Sequence, residues 1–240
     1  SRTWRASRSR SEYTATVAMP ISWQARMTRT AISPRFAIRI FFSTPHTLAR
    51  MDDADGNHSG RFGEVRRVAE TGSTNRDLLD AAAAGAPDGT VLVAAHQSSG
   101  RGRMDRTWSA PPGASLLASV LLRPTLPPDR LFLLTVACGV AAGGAVAEAA
   151  AVQVGLKWPN DLVAIDGPEM DRKVAGILAE SLVVDGRVEA VVVGMGLNVN
   201  WPDPLPPELA DIATSLDRLA GGAIGFEEVL SAWLERFEAE

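Results

Sequence analysis

The chain has 240 residues, of which 46% are hydrophobic and 22% charged, and its formal net charge is −4. Its one cysteine, Cys138, excludes an internal disulfide framework and a multi-cysteine metal site, and its apolar setting indicates a buried small residue. No apolar run reaches the roughly 18 residues of a transmembrane helix without a glycine or a charge. These features exclude a disulfide-rich secreted scaffold and predict a cytoplasmic globular protein without membrane contact.

The charge is concentrated at the start of the chain. Residues 1–50 carry nine arginines and one acid, Glu12, so their net charge is +8 and that of residues 51–240 is −12. We therefore expect residues 1–60 to be a separate basic segment, disordered or non-native. A transit peptide, a nucleic-acid-binding arm and sequence upstream of a later start at Met51 are alternatives. The segment lacks the two patterned helices of a helix-turn-helix, so we expect no DNA-binding domain and no nucleic-acid partner.

Residues 61–240 are long enough for one domain with a substantial core. The pattern predicts a helix within Thr71–Gly85, capped at Ser73 or Thr74, and a long buried helix over about 128–150. A last helix is predicted at Phe226–Glu240. The predicted strands are Gly89–Ala95, Ser115–Leu122, Gln153–Trp158, Leu162–Ile165, Lys173–Val184 and Glu189–Val199, the last two joined by an Asp-Gly hairpin turn. This order predicts an α+β fold with a mixed, largely antiparallel sheet and helices on one face.

The most unusual segment is the polar loop over residues 97–108, in which two glycines alternate with arginines. The glycines let the backbone approach a ligand closely, and fixed positive charge comes from Arg101, Arg103 and Arg106. This combination suits an anion such as phosphate. The loop is not a Walker A motif, because no Lys-Ser/Thr follows it. A solvated flexible loop is the alternative, but Trp108 favours a site because an indole can cover a base or ring.

Lysine is nearly absent from the chain, which has two lysines, Lys157 and Lys173, against 22 arginines. Because a compact ammonium differs from a planar guanidinium, both lysines are candidates for chemistry. Lys157 opens a run that ends in Asn160 and Asp161. Asn and Asp at a strand end are commonly turn formers. With a lysine at each end of the segment, they are also candidates to hold Mg²⁺ and substrate oxygens.

Two further segments combine small and polar residues. Helix capping explains the run Ser73–Asn75, which can also present hydroxyl and amide groups to a small ligand. The run Gly194–Asn200 ends a strand with two glycines and two asparagines, which allows either a close ligand or a plain bulge. Neither Gly-x-Ser-x-Gly nor His-Glu-x-x-His occurs, which argues against hydrolase and zinc chemistry.

Taken in order, five segments resemble the biotin protein ligases: residues 72–75, 97–108, 157–162, 173–180 and 194–198. The resemblance implies that residues 61–240 form a catalytic domain of the biotin/lipoate ligase type. Such an enzyme activates biotin with ATP as biotinyl-5′-adenylate and transfers biotin to one lysine of a biotin carboxyl carrier protein. By resemblance, the family continues into a small C-terminal β domain that helps to hold ATP and the carrier. We expect that domain to be absent from this chain.

The resemblance also implies binding residues in three groups. Those expected to hydrogen-bond the ureido head of biotin and its neighbouring atoms are Ser73, Thr74, Asn75 and Gln97. Those expected in a loop that orders over biotin and the adenylate are Gly100, Arg101, Gly102 and Arg103. Those expected beside the adenine or leaving room for the ligand are Trp108, Asn198, Gly176 and Gly194.

The residues that the resemblance assigns to catalysis are Lys173, Asp161 and Arg101. Lys173 is expected to contact the carboxylate and the α-phosphate oxygens. Asn160 and Asp161 are expected to serve Mg²⁺ or to orient the incoming lysine, and Lys157 is expected to be a shaping or phosphate-side cation. In a departure from the family pattern, Asp105 stands where the loop usually has glycine. It adds a negative charge and removes freedom at positive φ, so we expect loop closure to differ.

Three other readings of the sequence are open. A lipoate or octanoate transferase shares the fold, but an apolar acyl chain needs no ureido-binding set of Ser, Thr, Asn and Gln. A truncated module that binds biotin with little turnover is the second. A regulator that uses its basic arm on nucleic acid is the third. The sequence leaves the oligomeric state open, a homodimer included.

Overall fold

The computed structural model describes residues 60–240, so the basic segment expected over residues 1–60 lies, except for Gly60, outside the described residues. The strands of the described part are β1 (Val65–Thr71), β2 (Val91–Gln97), β3 (Ser115–Leu122), β4 (Val154–Lys157), β5 (Asp161–Ala164), β6 (Lys173–Val184) and β7 (Arg187–Asn198). The helices are α1 (Thr74–Ala83), α2 (Phe132–Ala150), α3 (Leu216–Ala220) and α4 (Phe226–Ala239).

The strands form a single sheet in the order β1-β2-β3-β7-β6-β5-β4. β1 and β2 are parallel, and every other neighbouring pair is antiparallel. The expected α+β class and mixed, largely antiparallel sheet are therefore confirmed. β6 and β7 form the predicted hairpin, in which Asp185 and Gly186 adopt φ values of 49° and 75°. Two successive positive φ values match the right-handed twist of the paired strands.

The two faces of the sheet carry different layers. On one face, α2 and α4 cover the main core, to which alternate strand residues such as Val120, Val193 and Leu197 contribute. On the other face, α1 packs on Leu121 and Val192 in a smaller cluster. The expectation of helices on one face thus describes α2 and α4, whereas α1 lies opposite them. Successive residues of a strand point to opposite faces, so each strand serves both layers.

Two elements had no counterpart in the predicted set, β1 and α3. β1 is an edge strand whose side chains are mostly exposed, and its sequence Val-Arg-Arg-Val-Ala-Glu-Thr has no strict apolar alternation. Its strand character comes from parallel pairing with β2. α3 is only five residues long. Short or exposed elements leave little periodic signal because they bury few side chains.

Among the described residues, one helical stretch, Pro128–Ala150, is long and apolar enough to span a membrane by length and composition alone. In the fold this stretch contains the core helix α2, which packs against α4 and the sheet and buries Cys138, Ala141 and Val146 completely. Gly144 faces α4, where a Cβ would lie 2.9 Å from a guanidinium nitrogen of Arg236. The packing explains the apolar composition of α2 without a membrane.

Candidate functional site

A cavity of about 290 Å³ opens on the sheet face that carries α1. Its walls are the start of α1, the middle of β3, β6 and β7, the loop over residues 97–108 and the turn between β4 and β5. Most of the sequence-predicted site residues line it: Ser73, Thr74, Asn75, Gln97, Arg101, Gly102, Arg103, Trp108, Asn160, Asp161, Lys173, Gly176 and Gly194. Segments far apart in sequence therefore meet at one site.

One end of the cavity is a buried, uncharged hydrogen-bond cluster at the start of α1. Ser73 caps the helix by accepting from the Arg76 N–H at 3.5 Å. The backbone N–H and the Oγ1 of Thr74 both donate to Gln97 Oε1, at 2.7 and 2.9 Å. Ser119 lies 2.7 Å from the Thr74 hydroxyl and donates to Asn75 Oδ1 at 2.7 Å. These hydroxyls and amides are held in fixed orientations, as recognition of a neutral polar group requires.

Three glycines of β6 and β7 let other side chains lie directly on the sheet. A Cβ at Gly194 would come within 2.0 Å of Asn75 Oδ1. Gly176 and Gly196 are cross-strand partners. A Cβ on Gly176 would lie 3.0 Å from the indole of Trp108, and a Cβ on Gly196 would lie 2.5 Å from it. The indole thus rests on a two-glycine platform. The space above Gly176, expected to be left for biotin, holds the Trp108 ring and the Lys173 ammonium in this structure.

Lys173 stands at the other end of the cavity, at the start of β6. Its Nζ lies 2.8 Å from Asp161 Oδ1 and 5.2 Å from the centre of the Trp108 ring. The contact with Asp161 is a close ion pair without the alignment of a hydrogen bond. The indole N–H of Trp108 is buried and has no hydrogen-bond partner among the described residues. A half-buried ammonium therefore stands beside the Trp108 ring, whose own N–H lies against Gly196.

The polar loop over residues 97–108 forms a small hairpin, called the arginine hairpin below. Arg101 pairs with Thr107 in an antiparallel bridge, the Gly102 N–H donates to the Arg106 carbonyl at 2.7 Å, and the Trp108 N–H donates to the Gly100 carbonyl at 2.9 Å. Met104 and Asp105 form its tip with φ values of 57° and 58°. Asp105 therefore adopts the left-handed conformation that glycine adopts easily, which aspartate also tolerates in turns. Whether loop closure differs stays a prediction.

The hairpin is held to both ends of the cavity. Arg101 forms an ion pair with Glu180 of β6 at 2.9 Å. Arg103 donates to Asn160 Oδ1 at 3.4 Å, and the Asn160 amide donates to the Ile177 carbonyl at 3.0 Å. Positive charge is thereby positioned above a cavity whose floor is neutral.

Three predicted residues do not line the cavity. Lys157 ends β4 and faces Asp161 in the strand register. Gly100 lies at the base of the hairpin, where a Cβ would be 2.4 Å from the Trp108 carbonyl oxygen. Asn198 is only 3% exposed, accepts from the Ser115 hydroxyl and donates to the Thr214 carbonyl. In this structure Asn198 ties the end of β7 to the segment before α3.

Two functional residues were missed by the sequence reasoning: Ser119, which lines the cavity, and Glu180, which lies behind the wall and pairs with Arg101. Ser119 lies in the middle of β3, a strand whose every residue is buried. A lone hydroxyl inside an apolar strand is a signal that it meets a polar partner, because a buried hydroxyl without one is costly. Glu180 interrupts a largely apolar stretch of β6, which is the same kind of signal.

The carboxyl groups near the cavity are too few for a metal site built from the protein alone. Among the described residues, no group of three or more His, Cys, Asp or Glu is placed to hold a metal ion. Asp161 is the one carboxylate among the described residues that line the cavity. Mg²⁺ usually binds through one or two carboxylates together with substrate phosphates. This donor set therefore fits Mg²⁺ only when phosphate oxygens complete the coordination.

Similar proteins share both the sequence and the fold. Residues 67–198 match the model of the biotin/lipoate A/B protein ligase family. The bifunctional ligase/repressor BirA of Bacillus subtilis is 41% identical over 167 residues, which cover 69% of this chain and 50% of that protein. The biotin–[acetyl-CoA-carboxylase] ligase of Paracoccus denitrificans is 33% identical over 198 residues, which cover 70% of this chain and 79% of that protein.

A solved structure, the biotin protein ligase from Aquifex aeolicus in complex with biotin and ATP, has a TM-score of 0.64 and 31% sequence identity. The match covers 74% of this chain and 70% of that one. This chain spans about half the length of the Bacillus subtilis relative. With 132 of its 240 residues, 67–198, in the family match and with relatives above 30% identity, the chain belongs to the biotin/lipoate A/B protein ligase family.

Proposed function

We propose that this chain activates biotin with ATP as biotinyl-5′-adenylate and transfers the biotinyl group to a lysine of a biotin carboxyl carrier protein. The observation that carries the proposal is the polarity of the cavity. Its floor at the start of α1 is a neutral hydrogen-bond cluster, and its other end holds Lys173 under an arginine hairpin. The complex of the Aquifex relative with biotin and ATP supports this assignment.

The neutral cluster suits the uncharged ureido head of biotin. Ser73, Thr74, Asn75 and Gln97 would supply hydrogen bonds to that head and its neighbouring atoms. Each of these side chains already has at least one fixed protein partner, so little freedom is lost when a ligand binds. An all-apolar acyl chain would form no hydrogen bonds with this cluster and would shield its remaining donors and acceptors from water, which disfavours lipoate or octanoate as the substrate.

The cationic end suits the chemical step. A carboxylate that attacks an α-phosphate must approach a second anion, so the site needs positive charge more than it needs a base. Lys173 would contact the carboxylate and α-phosphate oxygens while the mixed anhydride forms and breaks. Arg101 and Arg103 would close over biotin and the adenylate, with Gly100 and Gly102 giving the hairpin backbone its close approach.

The nucleotide and metal assignments follow from position. Trp108, which lines the cavity beside Lys173, would flank the adenine. Asp161, with Asn160, would hold Mg²⁺ against phosphate oxygens, and the ion would neutralise charge on the phosphates. Once its ion pair with Lys173 opens, Asp161 would also orient the amine of the acceptor lysine.

The setting proposed for this activity is the cytoplasm, with a carrier protein of a biotin-dependent carboxylase as the partner. The single cysteine fits a reducing compartment. The naming of two relatives as biotin–[acetyl-CoA-carboxylase] ligases supports the choice of partner.

The test is adenylate formation by the chain and by its Lys173→Ala variant, measured as biotin-dependent exchange of pyrophosphate into ATP. We expect the wild type to be active with biotin and inactive with lipoate. The Lys173→Ala variant should lose about two orders of magnitude or more, since a charge that stabilises the transition state is removed. Lys157→Ala, which changes the only other lysine, should lose much less because Lys157 lies outside the cavity.

Two results would contradict the proposal. Exchange that requires lipoate instead of biotin would reassign the substrate. Unchanged exchange by Lys173→Ala, with an unchanged melting temperature, would remove the role given to that lysine. Glu148→Gln serves as the control for substitution itself, because Glu148 lies on α2, which covers the opposite face of the sheet from the cavity.

A further inference from the structure

Glu180 joins two parts of the cavity wall that are far apart in sequence. One carboxylate oxygen lies 2.9 Å from a guanidinium nitrogen of Arg101 in the hairpin. The other accepts from the Nδ2 of Asn75 in α1 at 3.0 Å. The Glu180 side chain is 18% exposed and that of Arg101 is 46% exposed, so the pair is partly screened from water on the carboxylate side. A single side chain thus connects the hairpin to the neutral cluster.

The contact with Asn75 determines which way that amide points. The Nδ2 group donates to Glu180 and to the Leu178 carbonyl, so the Oδ1 atom is left to accept from Ser119. A carboxylate accepts hydrogen bonds and donates none, so Glu180 excludes the flipped amide. The orientation of the buried cluster therefore depends on a residue outside it.

The contact with Arg101 determines where the hairpin lies. Arg101 is half-exposed, and its guanidinium has one carboxylate partner among the described residues, Glu180. The hairpin is otherwise held to the sheet on this side through the packing of Trp108 on Gly176 and Gly196. A charged anchor at one strand of the hairpin and an indole at its end restrict its movement in two directions.

We propose that Glu180 is a positioning residue that holds the arginine hairpin and the Asn75 amide in one binding-competent arrangement. This inference deepens the proposed function and rests on it for the identity of the ligand. Glu180 acts through Arg101 and Asn75 and does not contact the substrate itself. Its loss frees the hairpin and weakens biotin binding, while the sheet stays folded.

Two substitutions separate the two contacts. Glu180→Gln keeps an oxygen that accepts from Asn75 but removes the charge that holds Arg101. Glu180→Ala removes both contacts. Each change is made in the wild type and in an Arg101→Ala background, and Glu148→Gln is the control because it removes an ion pair with Arg236 on the opposite face. Biotin affinity is measured by calorimetry, and backbone hydrogen exchange by mass spectrometry.

We expect Glu180→Gln to weaken biotin binding about three- to fivefold in the wild-type background, as for a half-exposed ion pair, and less than twofold in the Arg101→Ala background. The rate of backbone hydrogen exchange over residues 100–107 should rise by a similar factor, while the rate in β3 stays unchanged. Glu180→Ala should weaken binding further in both backgrounds, since the Asn75 contact is lost too.

Equal losses from Glu180→Gln in both backgrounds would show that Glu180 acts on general packing, and would overturn the proposal. Unchanged exchange over residues 100–107 would also overturn it. If the wild type binds no biotin, the proposed function fails, and the exchange measurement alone still decides whether Glu180 holds the hairpin.

Discussion

Glycines, which have no side chain, shape the candidate site. Gly176 and Gly196 face each other across β6 and β7, and the Trp108 indole lies on the bare backbone between them. The same indole contacts the Lys173 ammonium at 5.2 Å from the ring centre. A cation over an indole face is attracted by the ring quadrupole. The glycine platform therefore indirectly places the ammonium as well as the ring.

Gly196→Ala tests this platform. Its Cβ would lie 2.5 Å from Trp108 Cε2, so the indole must move. Stacking of a base on an aromatic ring contributes ~1–3 kcal/mol, so displacement of the indole should lower ATP affinity in calorimetry by about five- to 150-fold. Gly222→Ala is the matched control, because a Cβ there meets no atom within 4 Å. Wild-type affinity in Gly196→Ala would show that Trp108 is not part of the nucleotide site.

At the scale of elements, Asp88 connects the strands β2 and β3 to the first described residues of the chain. Its carboxylate accepts two hydrogen bonds from the Arg61 guanidinium, at 2.6 and 2.7 Å, and one from the Arg123 N–H at 2.7 Å. The Arg61 hydrogen bond, opposed by partial burial, holds the pKa of Asp88 below its usual value of 3.8. Arg123 in turn donates to the Ala82 and Ala86 carbonyls and so closes the end of α1.

The lowered pKa of Asp88 predicts the sign of a pH dependence. A carboxyl with a lower pKa in the folded state stabilises the fold above its unfolded-state pKa, and this contribution is lost as the pH falls through the folded-state pKa. We expect the urea midpoint of the wild type to drop below about pH 4, the unfolded-state pKa of aspartate. Asp88→Asn should be less stable at pH 7 and lose less on acidification.

The matched control for Asp88 is Asp80→Asn, which removes an exposed ion pair with Arg76 within α1. Exposed pairs of this kind contribute little to stability, so its urea midpoint should follow the wild type at both pH values. The attribution to Asp88 is wrong if Asp88→Asn and Asp80→Asn show the same acid dependence.

At the scale of the whole molecule, the larger core and the candidate site lie on opposite faces of one sheet. The core beneath α2 and α4 includes Trp233 and Cys138, both completely buried. The cavity opens on the other face of the sheet, which carries α1. Burial strongly raises the pKa of the Cys138 thiol, which a contact with Trp233 only partly offsets. The cysteine is therefore a packing residue, as the sequence indicates, and an internal probe of folding.

Cys138 should report global unfolding. As the only cysteine, it should react with iodoacetamide in urea and be protected in the native state by about three orders of magnitude or more, since the core opens only with the whole fold. The measurement is the alkylation rate, by mass spectrometry, across a urea titration. Rapid alkylation of the native chain at the rate of the unfolded one would show that α2 opens locally.

The sequence by itself determined the family and most of the elements, the exposed strand β1 and the short helix α3 excepted. Apolar periods located β3, β6 and α2, and the helix cap was predicted at Ser73 or Thr74, of which the structure shows Ser73. These signals depend only on neighbours a few residues away. The five ordered motifs identified the family, which the family match confirms. Such local patterns survive without any knowledge of strand order.

Only the tertiary structure decided which side chains meet. The pairing of Gly176 with Gly196 depends on strand register, and the contact between Glu180 and Arg101 joins residues 79 positions apart. Asn198 lies at the end of β7, and the sequence could not decide which group its amide contacts. In the folded chain the amide donates to the Thr214 carbonyl. Register, twist and the face taken by α1 are set by contacts between distant segments, because only these bury the apolar area that pays for ordering the chain.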